Sequence, residues 1–165
     1  MRRRTAPLLT CLLAAPALAL APVADPHVGD TVSLTGSEPG ERLDVTVTKV
    51  VDPAPTNPDD FQPDAGNHYV AVQFRLKNTG TAVYHDSPSN GATVIDKAGQ
   101  RFDSTLGDSA AGPAFPASVN VGPGKTALGF ITFEVSDGSR IVTVQFAMNS
   151  GFADDVGEWT VPKPS

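Results

Sequence analysis

The sequence predicts an all-β protein, an immunoglobulin-like antiparallel β-sandwich of about seven to nine strands, and three observations carry that expectation. Short runs alternate apolar and polar residues. Fifteen prolines and fifteen glycines punctuate those runs along the whole 165-residue chain, and no stretch sustains a helical period. A small barrel is the competing architecture.

Ahead of the strands, Arg2, Arg3 and Arg4 precede a mostly apolar stretch from Thr5 to about Ala24, the order of an export signal. Ala17-Leu18-Ala19 and Ala19-Leu20-Ala21 offer cleavage points, which divides the chain into a signal peptide at 1–24 and a single domain at 25–165. An uncleaved span would need roughly 20 continuous apolar residues, and Pro7, Pro16 and Pro22 interrupt this one. Cys11 makes a poor lipid-attachment site, because Leu8-Leu9-Thr10 lacks the small residue expected before it. Thr5-Ala6-Pro7 likewise continues a twin-arginine signal poorly. The expectation is a protein secreted by the ordinary route for unfolded chains, with no membrane insertion after signal cleavage.

Cleavage would remove three of twelve basic residues and leave nine against 18 acidic ones, a formal net charge of −9. Phosphate backbones and anionic lipid would repel such a surface, so nucleic acid is not an expected partner. The sole cysteine leaves with the signal, so no disulfide staples the domain. About 140 residues suffice for one hydrophobic core.

The strands follow in order. Thr31 to Leu34 is the first, and Leu43 to Val51 the second, with Leu43, Val45, Val47 and Val51 facing inward. Tyr69 to Lys77 gives the clearest alternation: Val70, Val72, Phe74 and Leu76 point one way, Gln73, Arg75 and Lys77 the other. Asn78-Thr79-Gly80 ends it with turn chemistry. Weaker runs lie at Ala82 to His85, Ala92 to Ile95 and Arg101-Phe102, the last two joined by Asp96-Lys97-Ala98-Gly99 as a hairpin. In Ala127 to Val135, Leu128 and Phe130 are out of phase with Ile131, Phe133 and Val135, which predicts either a bulge near Phe130 or burial on both faces. Ile141 to Met148, with Val142, Val144, Phe146 and Met148 inward, and Glu158 to Val161 complete the set. The proline-rich stretch Asp52 to Gly66 cannot pair within a sheet and reads as a mobile loop, long for a compact domain.

Three of these segments resemble a known family. Asn67 to Gly80, with its Tyr69, Val70, Asn78 and Gly80, is similar to the strand and turn of the secreted domain of unknown function 4352, itself similar to the mycobacterial immunogenic secreted antigens. Asp96 to Phe102 resembles that family's D-x-x-G hairpin, and Val121 to Val135 its P-G turn and following strand. The resemblance implies an immunoglobulin-like sandwich on an exported protein and no enzyme activity, since the shared motifs are turn glycines and core strands. Members often carry lipid on a cysteine that begins the mature chain. No cysteine stands in that place here.

Candidate sites are few. Asp52, Asp59, Asp60 and Asp64 crowd the long loop, and Asp154, Asp155 and Glu158 the C-terminal region; hard cations accept such oxygens, but the spacing matches no calcium loop, and wet loop carboxylates explain both clusters. His27, His68 and His85 would need to meet one another and a carboxylate to hold a metal or relay a proton, and a copper set of His68, His85 and Met148 is a variant of that idea. Half-exposed packing is the plainer role for each. No cysteine survives processing, no serine stands in a Gly-x-Ser-x-Gly turn, and Gly122-Pro123-Gly124-Lys125 lacks the spacing of a phosphate loop. The expectation is a non-enzyme without cofactor or resident metal. Phe61, beside Asp59, Asp60 and Asp64, and Phe115, between Gly107 and Pro116, are the candidate ligand-binding residues, because aromatics on proline-rich loops can anchor a partner. Alternatively each folds back to plug the sandwich. The leading function is an extracellular binding module for another secreted or cell-surface protein; the alternative is an extracellular domain that binds calcium or a transition metal.

Overall fold

Residues 25–163 are described by a computed structural model. Residues 1–24, expected from the sequence to be an export signal, lie outside the described residues. Ten strands follow one another: β1 (Thr31–Thr35), β2 (Arg42–Val51), β3 (Asn67–Asn78), β4 (Tyr84–Asp86), β5 (Ala92–Asp96), β6 (Arg101–Asp103), β7 (Val119–Val121), β8 (Thr126–Ser136), β9 (Ile141–Ala147) and β10 (Val156–Thr160). One sheet has the order β1-β2-β3-β8, the other β10-β9-β5-β6, and every pairing in them is antiparallel. This is the sandwich the alternating runs predict, rather than a closed barrel.

The strand beyond the expected nine is β7, which pairs with β4 through Tyr84↔Val121 and Asp86↔Val119. Three residues are too few to show alternation in a sequence, yet Val119 and Val121 are both buried in the main core. That core lies between the sheets. Leu43, Val45 and Val47 of β2 and Val70, Val72, Phe74 and Leu76 of β3 face Val94, Val144, Phe146 and Trp159 of the second sheet, all of them essentially inaccessible. At about 25 cal/mol per Å² of apolar surface, burial on this scale is the main term opposing chain entropy, as it must be without a disulfide.

Two phases differ from the sequence expectation, each for a local reason, and in a third strand one of the two expected alternatives is realised. A register shift between Val47 and Lys49 turns β2 over, so Val50 packs on the main core and Val51 on the opposite face. In β9 the register slips against Ile95 and Asp96; Ile141 takes the buried place and Val142 is half-exposed. In β8 the pairing with β3 runs unbroken from Asn67↔Ser136 to Lys77↔Thr126, so the strand has no bulge and is buried on both faces around Phe130.

What covers the second face of β3 and β8 is loop. Ala54, Tyr69, Ala71 and Phe130 form a small core there with Val51 and Ala111 against it. The Asp52–Gly66 stretch is fastened by the Ala54 amide to the Tyr69 carbonyl (2.7 Å), and the following cover by the Ala110 amide to the Pro55 carbonyl (2.7 Å). The chain after β6 runs along β8, with Thr105 N–H bonded to Thr132 O, Phe115 N–H to Phe130 O and Phe130 N–H to Pro113 O. The long loop is thus tied at both ends, since its Asp64 amide also donates to Glu134 (2.8 Å).

Candidate functional site

Tyr69 organises the loop layer. Its ring is buried by alternation on β3, and its hydroxyl emerges under both loops, where it donates to the Phe61 carbonyl at 3.3 Å and occupies the space a β-carbon on Gly107 would need. Burial first, then the Glu134 and Asp64 carboxylates, push this phenol above its ordinary pKa, so it remains a donor. The apolar side chains beside these two contacts lie outside: Phe61 is 78% and Leu106 97% exposed.

Asp59, Asp60 and Phe61 line an open cavity of about 260 Å³ at the loop tip. The tip is shaped by Asn57 Nδ2 donating to Asp60 (2.8 Å) and Gln62 Nε2 to the Asn57 carbonyl (2.7 Å). Asp64 stands apart at the loop's end, its backbone tied to β8. Phe115 is half-buried; it packs on the main core and lies over Gly129, where a β-carbon would strike its ring. Phe61 and Phe115 are therefore differently placed, one in solvent and one folded back. Sequence reasoning missed Leu106. A lone leucine between Thr105 and Gly107 was the available signal.

The other candidates are dispersed. His68 Nε2 lies 2.9 Å from Asp52 and its Nδ1 3.3 Å from Asp137, so both ring nitrogens face carboxylates. His85 bonds Asn120 (2.6 Å), and Met148 is wholly buried. Asp155 accepts from the Thr35 amide and Glu158 from Gln145. Among the described residues, no three His, Cys, Asp or Glu side chains converge on a metal position.

The motif residues hold backbone. Buried Asn78 donates through Nδ2 to the carbonyls of Ala82 (2.8 Å) and Val121 (2.7 Å) and accepts from the Gly80 amide. Gly80 is obligatory because a β-carbon there would overlap the Gly40 carbonyl. Asp96 Oδ1 accepts the Ala98 and Gln100 amides while Gly99 turns at φ 86°. Hydrogen bonds to the Gln100 amide, Ser139 and neighbouring amides hold the Asp96 carboxyl below its usual range.

Residues 28–156 match the family described as Domain of unknown function (DUF4352). The chain belongs to this family. Within the matched residues, Asn78 before Gly80 and Asp96 before Gly99 are side-chain caps on tight turns. The sandwich is similar to MPT63, a secreted protein from Mycobacterium tuberculosis, with a TM-score of 0.57 at 16% identity over 86% of this chain and 99% of that one. It is also similar to ycdA of Bacillus subtilis (0.53, 18%, 78% and 38%) and to yjhA of the same organism (0.50, 15%, 73% and 79%). At such identities the likeness concerns the fold. No curated protein matches the chain in sequence. Among the described residues no helix is long and apolar enough to cross a membrane.

Proposed function

We propose that this protein is exported, loses its N-terminal segment by a cut between Ala19 and Asp25, and acts outside the cell as a non-catalytic module that binds another protein through its loop layer. One observation carries the reading: Phe61 stands in solvent while its own carbonyl is held from below by a buried tyrosine. An aromatic on a fixed backbone loses little freedom when it enters a partner's pocket, and side chains of this kind dominate interface energetics. Leu106 extends the apolar surface, and Asp59 and Asp60 beside Phe61 favour a partner with a basic rim.

Capture of partners by the tagged protein from its host's culture medium and envelope tests this. Phe61→Ala and Leu106→Ser should each weaken capture while leaving the melting temperature unchanged, and salt should weaken it further, with charges screened over roughly 10 Å at 0.1 M ionic strength. A partner held equally well by the double variant would remove the loop layer from the reading. Intact mass of the exported protein should show a chain beginning between Leu20 and Asp25 without lipid; an acylated Cys11 terminus would overturn the export route.

A further inference from the structure

At the end of the sandwich away from the Asn78 turn, the first and last described segments meet. The Val28 amide bonds the Thr160 carbonyl, the Val161 amide bonds the Val142 carbonyl, and between them opens a cleft of about 370 Å³. Its walls are apolar: Val28, Val50 and Val161 pack on the main core, and Ile141 belongs to it. Arg140 and Lys163 stand on its rim with Asp52.

The charges at this corner are unevenly shared. The two ring nitrogens of His68 face Asp52 at 2.9 Å and Asp137 at 3.3 Å. Among the described residues, no carboxylate lies within salt-bridge distance of the Arg140 guanidinium or the Lys163 ammonium. A chain with a net charge of −6 thus presents two cations, without a carboxylate partner among the described residues, at the mouth of an apolar cleft.

We infer that this cleft binds a small amphipathic monoanion, a medium-chain carboxylate in chemical class, with its hydrocarbon on the valines and its head group between Arg140 and Lys163. The volume is in the range of small-molecule sites, roughly 300 to 1,000 Å³, and suits a chain of about eight carbons. Apolar walls supply affinity, and a guanidinium with an ammonium selects the anionic head over a neutral or cationic one. The site shares with the long loop only Asp52, its first residue, and uses neither Phe61 nor Leu106.

The test is an NMR titration of the protein with sodium octanoate, 1-octanol and octylammonium. Octanoate should give saturable shifts at Val28, Val50, Ile141 and Val161, and the other two should bind roughly 10- to 100-fold more weakly, the worth of one or two charge-assisted hydrogen bonds. Arg140→Gln with Lys163→Gln should bring octanoate to the octanol level, Val161→Trp or Val28→Trp should fill the cleft and abolish the shifts, and Phe61→Ala should change nothing. Equal binding of all three probes, survival of octanoate affinity in the double glutamine variant, or no saturable shift at the cleft would overturn the assignment.

Discussion

Phe74 of β3 and Phe146 of β9 meet across the sandwich with ring centroids 5.5 Å apart and planes tilted by 44°. Each is wholly buried, and the pair joins the centres of the two sheets. Truncating either to alanine should cost about 3–5 kcal/mol. The double variant should cost less than the sum, because the second truncation removes a contact already lost. Urea unfolding of the three variants checks both statements; additive losses would mean that the rings do not support one another.

Asn78 is expected to matter as much as a core residue. Its replacement by alanine leaves the Ala82 and Val121 carbonyls without their donor, at about 1–3 kcal/mol for each group left buried and unpaired. Asn78→Asp should be comparably damaging, since a carboxylate donates to neither carbonyl. Equilibrium unfolding of both variants provides the measurement.

Acid should act through Asp86. Burial alone would raise this carboxyl, but bonds from the Ser150 side chain and amide, the Ser87 amide and Tyr84 outweigh it and hold the group below the usual carboxylate range. A carboxyl lowered in the folded state stabilises above its unfolded pKa, about 3.9, and that contribution is lost as pH falls through the folded value. The stability difference between the parent and Asp86→Asn should therefore be full at neutral pH and shrink in acid below about pH 4. A difference independent of pH would assign the loss to shape alone.

Only the middle of the long loop should be dispensable. Replacing 56–62 with Gly and Ser should leave the melting temperature within a few degrees, whereas removing Ala54 or the Pro55 carbonyl should lower it, because those atoms seal the second core. Thermal melts followed by the fluorescence of Trp159, the single tryptophan, report on this directly.

The parts of the fold legible in the sequence were those decided within one element. The alternation from Val70 to Leu76 determines its own face, and Asp96 with Gly99 determines its own hairpin. The parts that were not legible depend on what lies opposite. Tyr69 and Ala71 look like solvent-side residues of β3 until two loops cover them, and the phases of Val51 and Ile141 follow from register shifts against neighbouring strands. The same limit applied to the site. Phe61 and Phe115 look alike as loop aromatics, and only the packing over Gly129 separates them.

The chain that runs along β8 also bears on self-association. As the outermost strand of its sheet, this eleven-residue element would offer a row of unpaired amides and carbonyls to any passing chain. Bridges from Ser104 to Phe133 and from Ala114 to Phe130 occupy that row instead. The segment between β6 and β7 thus covers the middle of the longest sheet edge in the described residues, where a strand from another molecule would otherwise find amides and carbonyls to pair with.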